Sequence, residues 1–165
     1  MLAPTHSNHF DYETKLLIDC PKHMERLCEL WYNEIGKPWI ANPNIERARK
    51  TFLQHLNRET LPLTWVALHK AEVIGMASLR ENDGIREDLT PWLGSLIVDP
   101  RYRKKKVGEA LVVLIKQQAK FLSYSNLHLF AFDQTLPFWY EKLGFQTIAH
   151  DEYDDHPVTV MVTDL

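Results

Sequence analysis

The chain has 165 residues, 45% of them hydrophobic and 25% charged, with a net charge of −3 at pH 7. That length suits one domain with its own core, and the composition is too apolar for disorder. The mildly acidic balance argues against general nucleic-acid affinity, and two cysteines, Cys20 and Cys28, argue against a disulfide scaffold or a structural zinc site.

Residues 1–12 read as a polar arm with no signal-peptide segment, ahead of a single domain over 13–165. Residues 14–20 carry Leu16, Leu17 and Ile18 and predict a short strand. Pro21 opens a helix with Met24, Leu27, Cys28, Trp31 and Ile35 on one face; Gly36 and Pro38 are expected to end it. A proline- and asparagine-rich loop over 36–44 leads to a second helix over 45–58. Residues 63–69 and 72–79 form a predicted hairpin around Lys70 and Ala71. A polar loop over 80–91 precedes a strand at 92–98. A helix over 106–122 and a doubly apolar, hence buried, strand over 127–132 follow. A short helix over 136–143 is closed by Gly144. Residues 146–149 and 158–163 predict a last strand pair around the loop Asp151-Glu152-Tyr153-Asp154-Asp155-His156. The order β-α-α-β-β-β-α-β-α-β-β implies a mixed α/β sheet with helices on its faces and a parallel pair at 92–98 and 127–132. No apolar run approaches a membrane span, so a cytoplasmic protein is expected.

Chemistry concentrates where the strand at 92–98 meets the helix after it. Leu96, Ile97 and Val98 end the strand and Asp99-Pro100 breaks it. Arg103, Lys104, Lys105 and Lys106 then precede Val107, Gly108 and Glu109, which open the helix. A helix start offers unpaired N–H groups and the positive end of the macrodipole, which suits a phosphate. Gly108 admits close backbone approach. A solvated basic face, or a nucleic-acid patch, is the competing reading of the same residues.

Two motifs here resemble the GNAT N-acetyltransferases, which use acetyl-CoA. The first, from Val98 to Leu111, is similar to that family's pyrophosphate loop, with Arg103 and Gly108 at matching positions and Lys106 where the first glycine usually stands. Helix-start dihedrals do not demand glycine, so Lys106 is expected to point outward. The second, Pro137 to Phe145, is similar to the family's tyrosine helix ending in Leu-Gly-Phe. The resemblance covers roughly residues 16–165. It implies a GNAT-like, mostly antiparallel sheet with a splayed parallel strand pair and acetyl-CoA as co-substrate. The pantetheine arm would lie against Leu96, Ile97 and Val98, and the pyrophosphate on the amides of residues 104–109.

The resemblance also implies direct attack in a ternary complex, with a backbone N–H at Val98 as oxyanion donor and Tyr140 as the acid that protonates the departing thiolate. Without the family, Tyr140 reads as a core aromatic. Glu81, Asp83 and Asp133 are the carboxylates expected near the cleft, and Glu81 is taken as the general base. Trp39 and the acidic loop, through Asp151 and Asp154, are expected to hold a cationic small-molecule or peptide amine. His150 and His156 lack metal-ligand spacing, so no metal is expected. The expected partners are therefore the amine, with neither nucleic acid nor membrane, in a monomer or homodimer. The alternative is a non-catalytic acyl-CoA sensor of the same fold.

Overall fold

The computed structural model describes residues 10–165, so most of the expected N-terminal arm lies outside the described residues. Among the described residues seven strands form one sheet in the order β1-β2-β3-β4-β5-β7-β6. They are β1 (Glu13–Leu16), β2 (Leu63–His69), β3 (Glu72–Arg80), β4 (Trp92–Val98), β5 (Asn126–Ala131), β6 (Gln146–Tyr153) and β7 (His156–Asp164). All neighbours are antiparallel except β4 and β5. Two hairpins close through turns whose central residues both have positive φ: Lys70 and Ala71 at 49° and 64°, Asp154 and Asp155 at 49° and 63°. That geometry matches the right-handed twist of the flanking strands.

Alternation along the strands feeds two cores. Leu63, Ala67, Ile74, Ala77 and Leu79 face α4 (Val107–Phe121), which supplies Val107, Leu111, Val112, Ile115 and Ala119. Val66, Leu68, Val73 and Met76 face α1 (Met24–Trp31) and α3 (Ile45–Leu53), which supply Leu27, Cys28, Ala48 and Phe52. Helices thus cover both faces of the sheet, as the strand pattern requires.

The first strand stops at Leu16, where two 3₁₀ turns take over the apolar run. The helix expected to end at Gly36 continues. A π turn over Tyr32–Gly36 carries the chain from α1 into α2 (Lys37–Trp39). Gly36 stays right-handed at φ −58°, and Pro38 stands in α2 directly after the π turn. α3 ends sooner than expected, because the amides of Gln54 and His55 fold back onto Thr51 and Phe52. The predicted acidic loop shrinks to Asp154-Asp155, with Asp151 and Glu152 inside β6. β6 is an edge strand with no buried residue, so its sequence carries no apolar alternation to read. Among the described residues no helix is long and apolar enough to cross a membrane.

Candidate active site

β4 and β5 pair in register only at Trp92 and His128, and diverge from there. A bulge in β4 sets its path. Gly94 pairs with Ser78 and Ile97 with Met76, so Ser95 and Leu96 together oppose the single residue Ala77. Ser95 sits at φ 49°, and Arg80 Nη2 donates to its Oγ at 2.8 Å. A bulge of this kind bends the strand and takes backbone groups out of the ladder. The opening is a cleft of about 620 Å³, with Leu96, Ile97 and Val98 along one wall and Phe130, Ala131 and Phe132 along another.

One end of the cleft is the start of α4. Among the described residues no side chain caps this helix. The amides of Val107, Gly108 and Glu109 lie in its first turn, where N–H groups have no acceptor within the helix. Lys106, the N-cap, is left-handed at φ 64°, and so is Lys104. Position 106 therefore has the backbone that favours glycine, contrary to the expectation of ordinary helix-start dihedrals; the loop must reverse there to enter α4. Lys104 and Lys106 line the cleft; Lys105 lies outside it, with Nζ 5.0 Å from the Phe10 ring centre. Arg103 spans the cleft, with Nε donating to Val98 O at 3.2 Å and Nη2 to Glu34 Oε2 at 3.1 Å. Gly108 packs under Trp139, where an added Cβ would stand 3.4 Å from the ring. Trp139 Nε1 donates to Glu109 Oε1 at 3.0 Å and ties α5 (Leu136–Glu141) to this end.

Tyr140 forms part of the cleft wall and is 6% exposed. Its ring meets Trp139 and Phe145 edge-on at 5.0 and 5.7 Å. Burial pushes its phenol well above the usual range, so it holds its proton at neutral pH. Glu81 is exposed and lies off the cleft wall. Asp83, two residues on, is in the wall, accepting from Arg80 Nη1 at 2.7 Å. Burial raises the Asp83 carboxyl above its ordinary value, against the opposing pull of Arg80. Both groups lie over Gly94, where a Cβ would be 3.0 Å from Arg80 Nη1 and 3.1 Å from Asp83 Oδ1. Asp133 also lines the cleft; its Oδ1 accepts from the amide and hydroxyl of Thr135 at 2.8 and 2.7 Å. Those bonds hold its carboxyl below the usual range.

The other end of the cleft is aromatic. Trp39 lies flat on Phe132 at 5.2 Å and 6°, and Tyr153 stacks on Phe130 at 5.4 Å and 22°. His156, expected at the surface, meets the Trp39 ring edge-on at 5.4 Å. Asp151 and Asp154 are not part of the wall. Asp154 Oδ2 instead accepts from the Ala41 amide at 2.9 Å, fastening the β6–β7 turn to the segment after α2.

A family model described as an acetyltransferase (GNAT) domain matches residues 61–147. The chain belongs to that family. Solved structures share the fold of this GNAT domain over nearly its whole length. An acetyltransferase from Streptococcus agalactiae 2603 has a TM-score of 0.71 at 23% identity, covering 93% of this chain and 98% of its own. A GNAT acetyltransferase from Staphylococcus aureus Mu50 has a TM-score of 0.74 at 16% identity, covering 93% and 99%. An aminoglycoside 6'-N-acetyltransferase complexed with coenzyme A has a TM-score of 0.71 at 16% identity, covering 92% and 96%. At these identities the likeness establishes the fold. No curated protein sequence matches the chain.

The GNAT domain brings Trp39, Leu96, Ile97, Val98, Arg103, Lys104, Lys106, Val107, Gly108, Glu109 and Tyr140 to one cleft. Glu34, Arg80, Phe130, Phe132 and Tyr153 line it too, though none of them belongs to either motif. Phe130 near the end of β5 and Phe132 just beyond it keep the strand's alternation, which was the available signal. Glu34 and Arg80 carried none, since each reaches the cleft through packing of distant segments.

Proposed function

We propose that this GNAT domain moves an acetyl group from acetyl-CoA to a primary amine by direct attack in a ternary complex. The observation that carries the reading is the uncapped start of α4, flanked by Lys104 and Lys106, at one end of a cleft that also holds Tyr140 and Asp83. The residues fit the co-substrate: three first-turn amides and two ammonium groups suit a diphosphate, and the bulged wall at Leu96 to Val98 suits an amide-bearing arm. When bound, acetyl-CoA supplies a thioester carbonyl open to attack by the amine.

Each residue then has a role. The first-turn amides, Lys104 and Lys106 bind the diphosphate. Backbone N–H groups between Leu96 and Val98 align the arm, and the one at Val98 polarises the carbonyl oxygen. Asp83 takes the place assigned to Glu81: it accepts the proton of the incoming ammonium, directly or through one water. Arg80 orients it. Tyr140 keeps its proton until the thiolate departs and then donates it. Arg103 and Glu34 hold the two rims of the cleft together.

Acetyl-CoA binding by calorimetry, followed by thiol release on addition of amines, tests the proposal. Tyr140→Phe should lower turnover by about 10²-fold or more, with acetyl-CoA affinity unchanged. Full turnover in that variant would remove Tyr140 from the mechanism. Tight binding of acetyl-CoA without turnover on any amine would instead favour a sensor of the same fold.

A further inference from the structure

The acceptor end of the cleft combines flat walls with charges that mostly cancel. Glu34 is paired with Arg103 at 3.1 Å, and Asp83 with Arg80 at 2.7 Å. Among the described residues of this end, Asp133 is the one carboxylate with no cationic side chain beside it, and its Oδ1 is already engaged by Thr135. The acidic turn that would recruit further positive charge lies off the wall, with Asp154 committed to the Ala41 amide. The walls there carry half-buried aromatic rings, in the stacked pairs Trp39–Phe132 and Phe130–Tyr153.

From this arrangement we infer that the acceptor is a monoamine on a flat apolar body, an arylalkylamine, rather than a polyamine or an aminoglycoside-like polycation. The inference rests on the acetyltransferase reading above and narrows it. One unpaired carboxylate and aromatic faces suffice to draw in and orient a single ammonium. Additional ammonium groups would be stripped of water against rings with no carboxylate to receive them. A planar ring, by contrast, gains stacking area on the same walls.

Rates of thiol release with 2-phenylethylamine, spermidine and kanamycin test it. The value of kcat/KM for 2-phenylethylamine should exceed those for both polycations by about tenfold or more. Trp39→Ala should raise KM for 2-phenylethylamine about tenfold more than it raises KM for ethanolamine, and Trp39→Phe should restore most of the difference. Acetyl-CoA affinity, measured on each variant, reports that the fold is intact. A preference for spermidine, kanamycin or a peptide N-terminus overturns the inference and leaves the acetyltransferase standing. So does an equal effect of Trp39→Ala on both amines. Absence of acetyl-CoA binding to the unaltered protein overturns both.

Discussion

Lys106 shows at the scale of one residue how the loop before α4 takes a left-handed turn without glycine. Its φ of 64° lies where a side chain is disfavoured and glycine is not. A left-handed non-glycine residue costs roughly 1–2 kcal/mol, against about 0.5–1 kcal/mol of extra unfolded-state freedom for glycine. Lys106→Gly should therefore stabilise the protein by roughly 0.5–1 kcal/mol in urea denaturation; no gain would show that the lysine side chain offsets the strain. Asp83 makes the second case. Its carboxyl is raised by burial, and a base works only when deprotonated. Activity should rise with pH as Asp83 ionises, on an acid limb that lies above the ordinary carboxylate range. Asp83→Asn should lower kcat/KM about 10²-fold and abolish that limb. A limb that survives the substitution would belong to another group.

At the scale of elements, the bulge in β4 and the polar loop that follows β3 work as one unit. Arg80 ends β3, reaches Ser95 in the bulge, and holds Asp83 in the loop. Gly94 leaves the space both need. Gly94→Ala should push the pair aside, and a displacement of this kind near the chemistry should lower kcat about tenfold or more. Acetyl-CoA binding, at the far end of the cleft, should stay as it was. A variant with unchanged kcat would mean that Arg80 and Asp83 yield without losing their alignment. The same loop carries Glu81 away from the cleft wall. It follows directly on the last residue of β3, but its side chain is exposed and lies outside the cleft. Distance along the chain from a strand end does not say which way a loop carboxylate turns.

At the scale of the whole molecule, a buried polar chain joins the turn after α3 to the sheet. His55, 2% exposed, meets Thr64 Oγ1 through Nδ1 at 2.8 Å, and Thr64 meets Ser78 Oγ at 2.7 Å. Burial first, and then the charge of Arg80, push the His55 imidazole down from 6.5 to about 3. The folded state therefore binds fewer protons than the unfolded state between those values. The stability this gives is complete above pH 6.5 and is lost as pH falls toward 3. At 1.36 kcal/mol per pH unit, about 2 kcal/mol should be gone by pH 5. Thermal unfolding from pH 7 to pH 5 should show this fall. His55→Gln, which keeps a polar partner for Thr64 but does not titrate, should flatten it. An equal slope in both proteins would assign the loss elsewhere.

The sequence by itself determined the element order, the parallel strand pair and the basic helix start after Pro100. Each of these follows from local information: apolar period 2 or 3.6, proline and glycine at breaks, and two short motifs whose residues are close in the chain. Legibility failed where local signals were weak or misleading, as at the edge strand β6 and at the glycine and proline that the π turn carries within a helix. Only the tertiary structure decided what the aromatic end of the cleft contains. Glu34 and Trp39, Asp83, Phe132, and Tyr153 come from four separate segments, and their meeting depends on how the bulge, the loop after β3 and the β6–β7 turn pack. The same packing took Asp154 out of the cleft and put Asp83 where Glu81 was expected. Side-chain direction in a loop is set by contacts between distant residues, and no spacing along a single chain records it.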